Sequence, residues 1–411
     1  MGALAAAMAL LLLAVFGAHR PAMPQAVPPS AFPIERVAEG AALARIGNCA
    51  SCHTAPGGRA FAGGVPLRTP FGTIYGSNIT PDAETGIGRW SLAAFTRAMR
   101  EGVARDGSHL YPAFPYDHFS RLTDDDVAAL YAFLMTRDAV SAAPPRNRLI
   151  PPLGFRPVIA GWKLLFFHPA ATAAPGDRGA YLAEGLAHCG ACHSPRNALQ
   201  AERRDRAYAG GWAEGWYAPP LDGSSPAVRA WTAQRLYTYL RTGLSPSHAA
   251  AAGPMGEVTY NLARAPEADV RAIAGYFAAR MRQAPAGRVE PALADRAAEA
   301  ARAHPQGAAL FTGACAACHQ PGAPMMVEGG PPLPLGSPLH ESNPRDTIQI
   351  ILKGLNPPTG SAGPYMPAFG DAFGDAQIAE IVAYLHARYG SAAQWQGIAK
   401  EVAKARKEGQ P

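Results

Sequence analysis

Three copies of one short motif carry the recognisable chemistry of this 411-residue sequence. Each copy has two cysteines separated by two residues and followed directly by a histidine. In such a motif the two thiols add across the vinyl groups of a haem, and the histidine binds its iron. The sequence therefore predicts three covalently bound haem c groups. The predicted attachment residues are Cys49, Cys52, Cys189, Cys192, Cys315 and Cys318, which are all six cysteines of the chain, and the predicted proximal ligands are His53, His193 and His319.

Other uses of paired cysteines explain this pattern less well. A structural zinc site brings two such pairs within about 20 residues of each other, whereas these pairs lie more than about 100 residues apart. A thioredoxin-like motif follows a β-strand, and no strand-rich pattern precedes any of the three. Disulfide bonds within the pairs leave the adjacent histidines without a role. Covalent haem accounts for all of these residues.

The chain around each motif repeats one helical pattern. A Gly-Ala-x-Leu stretch precedes each motif, and a segment with one apolar helical face follows at a distance. Each following segment pairs a small residue with an aromatic one, which lets a glycine-containing helix cross it closely. Thr123, Pro266 and Asp375 mark the starts of these later helices. The predicted upstream helices contain Gly40–Leu43, Gly179–Leu182 and Gly307–Leu310, and the downstream helices contain Val127–Leu134, Val270–Phe277 and Ile378–Leu385.

The second axial ligand of each iron must come from outside the motif. Met366 lies in a loop rich in glycine and proline shortly before the third downstream helix, and Met255 lies similarly before the second. A methionine thioether is a usual partner of a histidine in such haems, and it raises the reduction potential. We therefore expect Met255 and Met366 to be axial ligands, against the alternative that they only fill the core.

The first repeat departs from this pattern. Phe114 stands where a methionine is expected, and a phenylalanine ring does not bind iron. We favour His118 as the ligand, with Met99 and His109 as alternatives, while the histidines can also be surface or supporting groups. Two histidine ligands give a lower potential than a His/Met pair, which suits the first haem for electron entry.

A Pro-Leu pair follows each haem motif. The pairs are Pro66-Leu67, Pro220-Leu221 and Pro332-Leu333. A backbone carbonyl in such a loop is a candidate acceptor for the Nδ1 proton of the proximal histidine, which fixes the tautomer of the ring. Ordinary turn formation is the alternative.

Composition and the N-terminal segment bear on location. Hydrophobic residues make up 48% of the chain, and the net charge of +6 is not gathered into basic runs, so we expect no nucleic-acid partner. Ala3–Phe16 is an apolar run that is short for a membrane span and typical of a secretory signal. We expect residues 1–18 to be a signal peptide, or alternatively an uncleaved anchor. Haem attachment outside the cytoplasmic membrane requires such export.

The repeats predict a mainly α, loop-rich chain of three modules at 33–140, 173–285 and 301–391, joined by connectors at 141–172 and 286–300. Within the first connector, we expect Trp162–Phe167 to be non-helical and to pack between domains, or alternatively to contact a partner subunit. Residues 392–411 form a basic C-terminal tail. Its predicted helix is a candidate for contact with anionic lipid or a partner, and equally for a solvated tail.

Over residues 33–390 the sequence resembles the triple-haem cytochrome c subunits of bacterial membrane-associated dehydrogenases that act on alcohols, aldehydes, gluconate, sorbitol or fructose. The departure from that family is Phe114, where members often have methionine. The resemblance implies three tandem class I cytochrome c-like modules. It is carried by Thr69–Ile74, Asn78–Asp82, Gly86–Trp90, His109–Tyr116 and Met366–Phe369.

The resemblance also implies a function. The chain is expected to conduct electrons in the periplasm, attached to the cytoplasmic membrane through a partner, the tail or the N-terminus, and not to be catalytic by itself. A catalytic dehydrogenase subunit with flavin, molybdopterin or pyrroloquinoline quinone would supply the electrons, with a small third subunit in the complex. Ubiquinone or a terminal oxidase would accept them. A stand-alone soluble electron shuttle and a haem peroxidase are the alternatives, the latter favoured only by the missing methionine of the first repeat.

Overall fold

A computed structural model describes residues 21–25, 27–170, 176–282, 295–323, 330–357, 363–391 and 393–409, together with Gly2 and Met8. Helices predominate and the strands are short, so the predicted mainly α fold is confirmed. The rest of the predicted signal segment, 1–18, and most of the second connector lie outside the described residues. Among the helices that are described, none has the length and apolar character that crossing a membrane requires.

The chain divides into two compact units, Met1–Ala191 and Cys192–Pro411, and the boundary falls inside the second haem motif. The helices of the first unit are α1 (Ile34–Ile46), α2 (Cys49–His53), α3 (Leu92–Glu101), α4 (Tyr116–Phe119), α5 (Asp124–Met135), α6 (Val158–Phe166) and α7 (Arg178–Tyr181), the last continued by a π-helical turn over Leu182–Leu186. Strands β1 (Pro66–Thr69), β2 (Gly72–Tyr75) and β3 (Arg148–Leu149) form one antiparallel sheet in the order β1-β2-β3.

Helix α8 (Gly190–His193) carries the second motif across the boundary between the units. The later helices are α9 (Ala233–Thr242), α10 (Pro254–Leu262), α11 (Glu267–Met281), α12 (Ala297–Ala303), α13 (Pro305–Ala314), α14 (Ala316–His319), α15 (Arg345–Lys353), α16 (Asp375–Tyr389) and α17 (Ile398–Gly409). Two antiparallel hairpins accompany them, β4 (Gly211–Ala213) with β5 (Trp216–Ala218) and β6 (Leu244–Ser245) with β7 (Ala249–Ala250).

Close helix crossings occur in the first and third repeats, as predicted. A Cβ atom placed on Gly40 of α1 would lie 1.9 Å from the carbonyl oxygen of Ala129 in α5. A Cβ atom on Gly307 of α13 would lie 2.2 Å from the carbonyl oxygen of Glu380 in α16. Only glycine permits such an approach of two backbones. The corresponding crossing stays a prediction for the second repeat, whose upstream and downstream helices belong to different units.

The three downstream helices begin at the predicted residues. The Thr123 side chain caps α5 by accepting a hydrogen bond from the Asp126 amide at 3.1 Å. Helix α11 follows Pro266, and α16 starts at Asp375. The threonine cap of α5 satisfies one of the first-turn amides, which lack helical partners.

The first connector differs from its prediction. Trp162–Phe167 was expected to be non-helical, but residues up to Phe166 belong to α6, and β3 of the same connector joins the sheet of the first unit. The expectation of an irregular segment is therefore wrong. Eight of the nine residues of α6 are neither proline nor glycine, and Pro157 directly precedes the helix, where its fixed φ favours a helical start.

The C-terminal segment forms the predicted helix but is not a solvated tail. Val402 and Ala405 of α17 are fully buried. Arg406 donates to the carboxylate of Asp375 at 2.6 Å, and Arg345 binds Glu401 at 2.8 Å. Helix α17 therefore docks on helices α15 and α16 of its own chain, because its apolar stripe is covered there.

Candidate haem sites

Short helical turns present the three motifs. Left-handed residues, Asn48 and His188, directly precede the first two motifs, whereas α13 runs straight into Cys315. No disulfide joins the cysteines of a pair. Burial raises the pKa of Cys49, Cys192 and Cys315 to about 11. A redox-active pair needs a thiol with a lowered pKa, so these raised pKa values do not favour that use of the cysteines.

The proximal histidines of the first two motifs are held by backbone carbonyls. His53 Nδ1 lies 2.6 Å from the carbonyl oxygen of Ser77, and His193 Nδ1 lies 2.7 Å from that of Pro219. A ring that donates its Nδ1 proton to a carbonyl keeps the lone pair on Nε2 for a metal. Burial lowers the pKa of both imidazoles, which favours the neutral form that binds iron. The donor set therefore fits a haem iron.

The acceptor prediction is confirmed for one repeat and wrong for another. Pro219 directly precedes the predicted pair Pro220-Leu221. In the first repeat, the predicted pair Pro66-Leu67 lies in β1 and the acceptor is Ser77, because the β1–β2 hairpin returns the chain to the imidazole. In the third repeat, His319 Nδ1 is buried and has no hydrogen-bond partner among the described residues.

In the first and second repeats, a glycine with a positive φ angle donates a hydrogen bond to the backbone carbonyl of the motif histidine. The Gly63 amide donates to the His53 carbonyl at 2.8 Å, and the Gly210 amide donates to the His193 carbonyl at 2.9 Å. The φ angles of these glycines are 79° and 84°. An aromatic residue lies two positions earlier in each case. The shared sequence signal is an aromatic-Ala-Gly-Gly string at 61–64 and 208–211, which the sequence analysis missed.

The aromatic residue of each string packs on the downstream helix. Phe61 meets Phe133 of α5 edge-to-face at 5.7 Å between ring centroids, and Tyr208 meets Phe277 of α11 at 5.2 Å. Edge-to-face pairs of this kind are favourable arrangements of aromatic rings. In the first two repeats, the loop that follows the haem motif thus packs on the downstream helix of the same repeat.

Glycines also sit directly behind the motif helices. A Cβ atom on Gly76 would lie 1.8 Å from the carbonyl oxygen of Cys52, and one on Gly211 would lie 2.3 Å from that of Cys192. Backbone cannot yield to such contacts as a flexible side chain can. These two positions therefore require glycine for the motif helix to rest against its hairpin.

The predicted methionine ligands lie in half-buried positions. Met366 pairs with Leu355 through two backbone hydrogen bonds of 2.9 and 3.0 Å, next to the end of α15. Met255 lies in the first turn of α10. Its helix follows Gly253, which has a φ of 52° and packs so closely on Trp216 that a Cβ atom would lie 2.3 Å from that ring. Both methionines stay predicted ligands.

The structure separates the three candidates of the first repeat. His118 is buried in α4, and its Nδ1 lies 2.7 Å from the carbonyl oxygen of Glu184 in the π-helical turn. His109 is buried and forms a bridge with Val103, two residues after the end of α3, as Met366 does with Leu355, two residues after the end of α15. Met99 is buried in α3.

Phe114 is half-buried in this repeat. Its ring packs on Phe119 at 5.3 Å between centroids. His118 stays the predicted ligand, with Met99 and His109 as the alternatives.

Comparison with known proteins supports the haem chemistry. The family model "Cytochrome c" matches residues 37–138, and "Cytochrome C oxidase, cbb3-type, subunit III" matches residues 302–385. The chain is 35% identical to the fructose dehydrogenase cytochrome subunit of Gluconobacter japonicus over 93% of its own length and 85% of that protein. It is 37% identical to the gluconate 2-dehydrogenase cytochrome c subunit of Pantoea cypripedii over 90% of both chains.

A longer relative matches as well. The chain is 44% identical to a nicotinate dehydrogenase subunit of Pseudomonas putida over 92% of its own length. It spans only 32% of that protein. The similarity therefore concerns about one third of the longer polypeptide.

Proposed function

Because the chain belongs to the family of cytochrome c subunits of bacterial dehydrogenases, we propose that it is a three-haem electron-transfer subunit. It carries covalently bound haem c and accepts electrons from a catalytic dehydrogenase subunit. The number of three haems follows from the three motifs and their six cysteines. The acceptor is ubiquinone or a terminal oxidase, and the location is the periplasmic face of the cytoplasmic membrane.

One observation carries this proposal. Two of the motifs present a neutral histidine whose Nδ1 atom lies on a backbone carbonyl, at 2.6 Å for the half-buried His53 and at 2.7 Å for the buried His193. This arrangement holds Nε2 as a ligand and limits movement of the ring, which suits electron transfer because little has to reorganise. When bound, haem supplies one-electron iron chemistry.

The residues of the chain have distinct proposed roles. The six motif cysteines hold the haems through thioether bonds, and the three motif histidines are proximal ligands. Met255 and Met366 complete two of the iron sites, with His118 as the ligand of the first. Filled axial positions direct a haem toward electron transfer rather than toward substrate binding. The isolated chain is therefore expected to have no dehydrogenase or peroxidase activity.

The proposal can be tested with the purified holoprotein. Alone, it should oxidise no alcohol, aldehyde or sugar and should show no peroxidase turnover. After addition of its dehydrogenase and the substrate of that enzyme, all haems should become reduced, and a soluble ubiquinone analogue or an oxidase should reoxidise them. Substrate turnover by the isolated chain would overturn the assignment, as would haems that the dehydrogenase leaves oxidised.

A further inference from the structure

Helix α6 (Val158–Phe166) and the residues before it expose an unusual amount of apolar surface in the first unit. Leu164 is 68% exposed, Leu165 63% and Phe155 59%. Ile150, at the start of the same stretch, is also exposed. Single exposed apolar side chains are ordinary on protein surfaces, but a cluster within one short segment marks an interaction site.

Helix α6 lacks the charged outer face that a surface helix usually has. Its one charged residue, Lys163, points inward, and its Nζ atom donates to the carbonyl oxygens of Glu101 at 2.5 Å and Gly102 at 2.7 Å. Ile159 and Ala160 are buried. The exposed residues of the helix are Leu164 and Leu165, and Trp162 is half-buried beside them. A surface helix normally shows its polar face to water.

The exposed residues do not belong to a loose linker. Arg156 donates to the carbonyl oxygen of His109 at 2.9 Å, and the Tyr111 hydroxyl donates to that of Leu153 at 2.9 Å. The Phe167 ring contacts the Tyr116 ring edge-to-face at 5.1 Å. With Lys163 bonded to the end of α3, these contacts fix α6 on the first repeat. The outward leucines are therefore part of a rigid surface.

The charged residues of this segment are all basic, which favours an anionic partner. Between Asp138 and Asp177 the sequence contains no acidic residue, but it contains Arg146, Arg148, Arg156 and Lys163. Arg146 and Arg148 are exposed. Outward Leu, Trp and Phe side chains next to basic residues are typical of helices that lie in the interface of an anionic bilayer. A helix of nine residues is too short to cross a membrane.

We propose that Ile150, Phe155, Trp162, Leu164 and Leu165, named here the connector surface, lie on an anionic lipid bilayer. The apolar side chains enter the headgroup region while Arg146 and Arg148 meet lipid phosphates. This contact holds the first repeat against the membrane independently of the N-terminal segment. The inference rests on the proposed function for its cellular location, since it requires the chain to face a membrane.

Radical footprinting of the full holoprotein tests the contact directly. Side-chain oxidation by hydroxyl radicals is measured without vesicles, with phosphatidylglycerol–phosphatidylethanolamine vesicles, and with phosphatidylcholine vesicles. Oxidation of Phe155, Trp162 and the two leucines should fall several-fold only with the anionic vesicles. The exposed residues Leu199 and Tyr365 serve as internal controls and should keep their oxidation rates.

Variants separate apolar from electrostatic contact. Leu164→Ser together with Leu165→Ser should weaken co-flotation with anionic vesicles by roughly tenfold or more, because two apolar side chains no longer enter the bilayer. Leu199→Ser is the matched control. Arg146→Glu together with Arg148→Glu should weaken flotation and reduce its salt dependence, whereas Arg302→Glu, at another exposed position, should not.

Each outcome decides the proposal. Protection by anionic vesicles supports it even if an N-terminal anchor keeps the leucine variant on the vesicles. Full oxidation with vesicles but protection by the dehydrogenase subunit overturns it and assigns the connector surface to that subunit. Full oxidation in both cases also overturns it. Because haem reduction by the dehydrogenase is measured separately in detergent solution, loss of membrane contact and failure of electron transfer are distinguishable.

Discussion

The first and second haem motifs hold their histidines in the same way, but the sequence predicts different groups for the second axial position. Both histidines donate to a backbone carbonyl, and both histidine carbonyls accept from a positive-φ glycine. The predicted second ligand of the second repeat is Met255, whereas the first repeat has Phe114 where a methionine is expected. The surroundings of the histidine are thus shared by the two repeats, and the predicted second ligand is the part that differs.

The difference has a physical basis. The proximal half uses backbone atoms and glycines, whose geometry allows few substitutions: a Cβ atom on Gly76 or Gly211 would collide with a motif carbonyl. The distal half needs one side-chain donor to iron, and several residue types in different loops can provide it. Potentials can therefore diverge among repeats while the scaffold that binds the cofactor remains the same.

The largest expected effect follows loss of a methionine ligand. Met255→Ala and Met366→Ala should each abolish one methionine–iron charge-transfer band and lower one reduction potential, since axial ligands tune haem potentials across about 0.8 V. Redox titration followed by visible spectroscopy measures both. Met135→Leu is the control, because Met135 is a fully buried core residue of α5. A variant that keeps its band and its potential would show that the methionine only packs.

A distal substitution in the first repeat sharpens the comparison. His118→Ala should change the spectrum and potential of one haem, and the methionine–iron bands of the other two should remain. Electron paramagnetic resonance of the oxidised holoprotein resolves the separate haems. An unchanged first haem would transfer the ligand role to Met99 or His109, which the same measurement on Met99→Leu and His109→Ala would distinguish.

Adding one methyl group to either glycine behind the motif helices should destabilise the protein. Gly76→Ala and Gly211→Ala force a Cβ atom against a backbone carbonyl, so we expect a loss of stability of about 3 kcal/mol or incomplete haem attachment. Gly313→Ala is the control, because a Cβ atom there meets nothing within 4 Å. Thermal midpoints and haem content report the effect. Equal stability of all three variants would refute the close packing behind the motifs.

A smaller effect concerns pH and the second unit. Asp346 is buried and accepts a hydrogen bond from the Tyr217 amide at 2.8 Å, and burial raises the pKa of its carboxyl from 3.8 to about 7. The folded unit therefore keeps a proton that the unfolded chain loses near pH 4. Its stability should fall as pH rises from about 4 to about 7, where the folded carboxyl also ionises.

Asp346→Asn tests this dependence. The side-chain oxygen of the asparagine still accepts the hydrogen bond from the Tyr217 backbone amide, but the side chain cannot ionise. The thermal midpoint of the variant should therefore fall less across that pH range than that of the wild type. The neighbouring buried carboxyl of Glu341 also has a raised pKa and should account for what remains. An identical pH profile in the variant would exclude Asp346 as a source of the decline.

Much of the scaffold was predictable from the sequence. Helical periodicity and capping residues located the downstream helices, as at Thr123 and α5. The glycine of the upstream helix predicted the close approach of Gly40 to Ala129 and of Gly307 to Glu380. These features depend on short segments and on one glycine contact each, so local patterns are sufficient to find them.

Features that depend on distant partners were missed. The acceptor of His53 is Ser77, which reaches the imidazole only after the hairpin turns back. Helix α6 was not expected because its outward leucines and inward lysine give no amphipathic pattern of the usual kind. The docking of α17 brings Glu401 to Arg345, and these two residues are far apart in sequence.

We propose that one chain carries three covalently bound haems, one at each motif. The pyridine haemochrome spectrum of the denatured holoprotein, compared with the protein concentration, measures this number directly. We predict three haems per chain, and two in a Cys189→Ala, Cys192→Ala variant. A wild-type value of two or fewer haems per chain would show that at least one motif does not bind haem.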